Sequence, residues 1–115
     1  MALTDLTFLQ GFTGGNPEKM KKFIGMFLSG APALLNQIES LHDAKNYNEL
    51  KTVIHTLKPQ LSYMGVSSIE SMVKEAEINA GHAENLDRLA EQVKMICETT
   101  REALKELEAH LSTIA

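Results

Sequence analysis

The chain has 115 residues, of which 43% are hydrophobic and 23% charged, and a formal net charge of -4. That length suits one domain that buries well over half of its unfolded surface without a staple, and the composition excludes disordered and collagen-like classes. The acidic balance argues against nucleic-acid binding, which needs clustered Lys and Arg. The lone Cys97 cannot close an internal disulfide, and no run reaches the ~20 apolar residues of a membrane span.

The opening MALTDLTFLQGF has neither the basic residues nor the sustained apolar run of a signal peptide. A single cytoplasmic domain spanning residues 1–115 is therefore expected, with no membrane partner. Within 1–12, Leu3, Leu6 and Leu9 recur about once per turn and predict a short helix capping the rest. TGGNPEK then makes a turn at Gly14 and Gly15, with Asn16 as cap and Pro17 at the first position of the next helix.

From Met20, the residues Phe23, Ile24, Phe27, Leu28, Ala31, Leu34, Leu35, Ile38 and Leu41 recur at helical spacing. Gly30 and Pro32 interrupt the run, which predicts either one kinked helix or two meeting near Gly30. Asn46 and Glu49 have the spacing of a capping box. Leu50, Ile54, Leu57, Leu61 and Met64 follow as an apolar stripe that ends at Gly65.

Ser67 and Glu70 suggest a second box, opening a helix with Ile69, Met72, Val73, Ala76 and Ala80 that closes at Gly81. The short link between these two helices predicts an antiparallel hairpin. Leu86, Leu89, Val93, Ile96, Thr100, Leu104, Leu107, Leu111 and Ile114 mark one long final helix with a single buried face. No segment alternates as a strand does. The predicted fold is all-α: an antiparallel four-helix bundle with a short N-terminal capping helix.

The chemistry concentrates in HTLKPQLSYMG, from His55 to Gly65. With Leu50 at zero and ~100° per residue, the stripe residues stay within about 40°, whereas His55 lies near 140° and faces solvent. Lys51, Lys58 and Ser62 fall at roughly 80 to 120° and border the imidazole. Cations offset the charge of an incoming phosphoryl group. An imidazole in water titrates near ~6.5, so its neutral, nucleophilic form prevails at pH 7. Ser62 offers a further hydrogen bond, and Pro59 removes the amide that would bond the carbonyl of His55.

The same stretch resembles the signature of histidine-containing phosphotransfer (HPt) domains: a histidine, a lysine three later, small residues, and a glycine ten after the histidine. The upstream GGNPEKMKKFIGMFLSGAPALLNQIESL and the helices downstream are also similar to that family. The resemblance implies a bundle with one phosphorylatable histidine, His55, on an exposed face of a central hairpin helix. It implies that Lys58 assists electrostatically and that Gly65 ends the helix so that a partner can approach. It further implies passage of phosphoryl groups between aspartates of receiver domains, those of hybrid sensor kinases and response regulators. Pro59 departs from the pattern, since relatives usually carry glycine or another small residue there, and a proline would narrow the docking face.

No nucleotide motif is present, so the expected protein is a monomeric phosphocarrier with no ATP site, no autokinase activity and no cofactor of its own. The partner receiver would supply Mg²⁺. The contrasting expectation is a helical adaptor that docks signalling partners through its surface and transfers nothing. His42, His82 and His110 lack the i, i+4 spacing of a metal pair. Cys97, beside Ile96, reads as a packed hydrophobe, and Met64 reads as a partly exposed member of the docking face.

Overall fold

The computed structural model describes residues 3–113, so the expectations placed on Met1 and Ile114 lie outside it. Those residues form five helices: α1 Thr7–Thr13, α2 Pro17–Asp43, α3 Tyr47–Tyr63, α4 Glu70–His82 and α5 Leu86–Leu111. No strand occurs among them.

The run from Pro17 is one helix, not two. A mid-helix proline costs about 3 kcal/mol. On the same helix Ile24, Phe27, Leu35 and Ile38 are buried on both sides of it, each contributing roughly 1.5–3 kcal/mol. Continuity therefore wins, and Pro32 itself sits on the exposed side.

Asn16 caps α2 as expected, its Oδ1 accepting from the amides of Glu18 and Lys19 at 2.9 and 3.2 Å. Asn46 Oδ1 likewise accepts from the Glu49 amide at 3.4 Å. The reciprocal half of that box is absent because the Asn46 amide donates instead to the Leu41 carbonyl at 2.9 Å. Together with the Lys45 amide on the His42 carbonyl, and Lys45 at φ 58, this closes α2 in a Schellman arrangement.

The second box does not form. Val66 and Ile69 are buried, and Ser67–Glu70 turns so that the backbone carbonyl of Ser67, not its hydroxyl, meets the Glu70 amide. Gly81 does not stop α4 either; the helix ends one residue later, where Ala83 takes φ 51. Gly81 serves close packing. A Cβ there would lie 3.0 Å from Cδ of Lys51, whose aliphatic stem crosses it from α3.

In the bundle α3 packs on α2 and α4, and α5 packs on the same two, closing a ring of four helices. The short links make successive helices antiparallel. Leu35, Ile38, Leu50, Ile54, Leu57, Leu89, Ile96 and Leu107 fill its centre.

The four helices are unequal. α2 and α5 have 27 and 26 residues, α3 and α4 only 17 and 13. At ~1.5 Å per residue the long pair spans about 40 Å and the short hairpin about 20 to 25 Å. The start of α2 and the end of α5 thus overhang the hairpin. The exposed stripe this would leave is covered by α1, through Leu9, and by Leu3 and Leu6 of the preceding segment.

That segment is not helical, contrary to the expected helix over 1–12. Glu106 of α5 binds it: Oε2 accepts from the Leu3 amide at 2.8 Å, and Oε1 from the amide and hydroxyl of Thr4 at 3.1 and 2.6 Å. The Asp5 amide then donates to the Met64 carbonyl at 3.1 Å. Backbone groups committed to these partners cannot join a helical ladder.

Candidate functional site

The sequence stripe settles how α3 lies: Leu50, Ile54, Leu57 and Leu61 are buried, which turns His55 outward with 67% of its side chain exposed. Its Nδ1 lies 2.9 Å from Oε1 of Glu77 on α4. Nζ of Lys58 approaches the same oxygen at 3.2 Å. One carboxylate therefore ties the histidine and the lysine together across the α3–α4 hairpin.

Glu77 is only 17% exposed. Burial pushes its carboxyl upward, but the hydrogen bonds from His55 and Lys58 and their charge outweigh this and hold it below the ordinary value of 4.5. It is an ionised acceptor at neutral pH. A carboxylate facing Nδ1 places the ring hydrogen on that nitrogen, which leaves Nε2 with its lone pair. The arrangement fixes the imidazole by its Nδ1 edge, turns Nε2 away from the carboxylate and sets an ammonium beside it.

His55, Lys58, Pro59 and Ser62 line one shallow depression with Phe8, Tyr63, Glu70 and Lys74. The Ser62 hydroxyl donates to the Lys58 carbonyl at 3.4 Å within the helix. α3 runs unbroken through Pro59, whose ring lies on the exposed side. Lys51 lies elsewhere, one turn before His55 with its stem over Gly81.

Gly65 also lies outside the depression. It has φ 69, and a Cβ on it would fall 2.0 Å from the carbonyl oxygen of Asp5. Its lack of a side chain lets the N-terminal segment pass. Met64 is buried at 3% exposure, not part of the exposed face, because its stripe position points under that segment.

Glu77 is the residue that the sequence reading missed. Counting ~100° per residue from Val73 puts it about 40° away, on the edge of the stripe formed by Ile69, Val73, Ala76 and Ala80. An acid at the margin of a buried stripe requires a partner, and that was the available signal. The second omission is apolar. Phe8, Phe12, Tyr63 and Met26 are 55%, 59%, 43% and 61% exposed. Phe8 and Phe12 pack on Tyr63 at ring-centre distances of 5.5 and 6.1 Å, and Phe12 meets Phe23 edge-on at 5.4 Å. Tyr63 is a shared wall between the histidine depression and a groove of about 360 Å³ lined by Leu9, Phe12, Phe23, Met26 and Gln60.

Cys97 is a packed thiol: it is 1% exposed, and burial pushes it up to about 11. Among the described residues, no helix is long and apolar enough to cross a membrane. Comparison with known families matches residues 22–113 to the Hpt domain model, which takes in α3, α4, α5 and most of α2. The N-terminal segment and α1 precede the matched region. No curated protein and no solved structure matches the chain.

Proposed function

The chain belongs to the Hpt domain family, whose members work in histidine phosphotransfer within two-component phosphorelays, and on that premise we propose that His55 is the residue that carries the phosphoryl group. The observation that supports this best is the 2.9 Å contact between His55 Nδ1 and Glu77, which leaves Nε2 as the outward nucleophile. Nε2 attacks the phosphorus of a receiver's aspartyl phosphate, the aspartate carboxylate leaves, and a second receiver later takes the group. Lys58 neutralises charge on the moving phosphoryl group. Ser62 is a further donor once its hydroxyl turns from the Lys58 carbonyl.

The receiver supplies the acidic pocket and Mg²⁺ in this reading, and the protein brings no cofactor of its own. It acts as a cytoplasmic monomer whose docking face surrounds His55 and extends over Pro59, Tyr63, Phe8 and Phe12. That face is partly apolar, as suits a transient encounter of modest area. Lys51 borders it, and Gly65 supports it by admitting the segment that holds α1.

The test is transfer from a phosphorylated receiver domain of a hybrid kinase. Wild type is expected to gain acid-labile label, His55→Gln none, and Lys58→Ala label about a hundredfold more slowly, the low end for loss of one preorganised stabilising group. If wild type gains no label, or His55→Gln gains as much, the protein is an adaptor that docks without transfer.

A further inference from the structure

We propose that the negative charge of Glu77, beyond its hydrogen bond, keeps the phosphorylated ring of His55 protonated at Nδ1 and so makes the phosphohistidine a short-lived, readily surrendered form. The inference rests on His55 as the phosphoryl acceptor and concerns what happens after the group arrives.

Proton counting shows why. The neutral ring enters with hydrogen on Nδ1 and a lone pair on Nε2. Forming the Nε2–P bond breaks the P–O bond to the receiver's aspartate, whose carboxylate leaves with the electron pair. The ring retains its Nδ1 proton and becomes a phosphoimidazolium. If that proton stays, the onward step expels a neutral imidazole, a good leaving group. If it is lost to solvent, the step must expel an imidazolate, and transfer and hydrolysis both slow.

Glu77 decides between these forms, because its Oε1 already lies 2.9 Å from Nδ1 and the carboxylate is only 17% exposed. An anion at that distance favours the cationic form of the phosphorylated ring. An uncharged amide could accept the same hydrogen bond without that charge. The other charged groups facing the ring are Lys58 on α3 and Glu70 and Lys74 on α4, while α1 contributes the uncharged Phe8; Lys51, one turn before the ring, is turned away with its stem over Gly81. Lys74 is paired with Glu70 at 3.9 Å. Lys58 shares Glu77 at 3.2 Å until a phosphoryl group competes for it. Movement of Lys58 toward that group would leave Glu77 to the ring alone.

Wild type and Glu77→Gln are to be phosphorylated chemically with phosphoramidate, which needs no receiver, and their hydrolysis followed from pH 5 to 9. The isosteric amide retains an acceptor, so a purely structural role predicts superimposable profiles. The charge role predicts that the Glu77→Gln phosphoprotein is at least fivefold longer-lived at pH 8 and that its profile shifts about one pH unit toward acid. Superimposable profiles overturn the proposal. So does failure of phosphoramidate to label wild type, since the proposal requires an accessible Nε2 lone pair. Labelling by phosphoramidate without labelling by a phosphorylated receiver refutes the carrier function alone, and the profiles still decide the role of Glu77.

Discussion

Two residues separated by ten positions on one stretch, His55 and Gly65, belong to different physical problems. His55 faces outward because Leu50, Ile54, Leu57 and Leu61 face inward, a consequence of helical periodicity alone. Gly65 is required by a distant contact, the backbone of Asp5, and by its own φ of 69. Gly65→Ala would incur roughly 1–2 kcal/mol for a left-handed alanine, and the clash with Asp5 adds to it. We expect a loss of at least about 2 kcal/mol in urea-induced unfolding, together with faster exchange of the Asp5 amide. A loss below about 0.5 kcal/mol would show that the segment yields easily. The motif spacing singled out Gly65, but its reason is tertiary.

At the scale of elements, α1 differs from the others in burying little more than Leu9 and Thr13 while displaying Phe8 and Phe12. Leu3, Leu6 and Leu9 were legible as a capping pattern. The path of the chain was not, because the hydrogen bonds that hold it come from Glu106 more than 100 positions away. Removing both exposed rings, as Phe8→Ala with Phe12→Ala, should change stability by less than about 1 kcal/mol since each is more than half exposed already. The same change should weaken receiver binding about tenfold, equivalent to ~1.4 kcal/mol. Calorimetric titration with a receiver domain would check this, and unchanged affinity would remove α1 from the docking face.

For the molecule as a whole, four glutamates link distant parts of the bundle and are all held below 4.5. Arg101 lowers Glu39 and Arg88 lowers Glu75 by hydrogen bonding; for Glu77 and Glu106 burial opposes the shift but hydrogen bonds prevail. A depressed carboxylate adds stability above its unfolded value, and that stability is lost as pH falls through the folded values. Stability should therefore hold steady from pH 7 to about 5 and fall below about 4.5. Glu39 and Glu75 sit in half-exposed pairs and contribute little, so Glu106→Gln should flatten the acid limb more than Glu75→Gln. Urea midpoints measured between pH 3 and 7 would show it; equal slopes in both variants would contradict this ranking.

Periodicity, Pro17, Asn16 and the scarcity of β-branched alternation were enough to determine an all-α bundle, its helix order, and an outward His55 beside Lys58. These are local properties, set by angles along one helix and by the chemistry of its ends. What only the tertiary structure decided arises between helices. Glu77 reaches His55 across 22 positions of sequence because α3 and α4 fold back on each other, and Glu106 reaches Thr4 because the long helices overhang the short pair. The capping boxes at Asn46 and Ser67 fail, partly or wholly, because another backbone group pairs first: the Leu41 carbonyl at the end of α2 takes the Asn46 amide, and the Ser67 carbonyl takes the Glu70 amide in the turn that buries Val66 and Ile69. A sequence states which groups need partners, and packing decides which partner arrives.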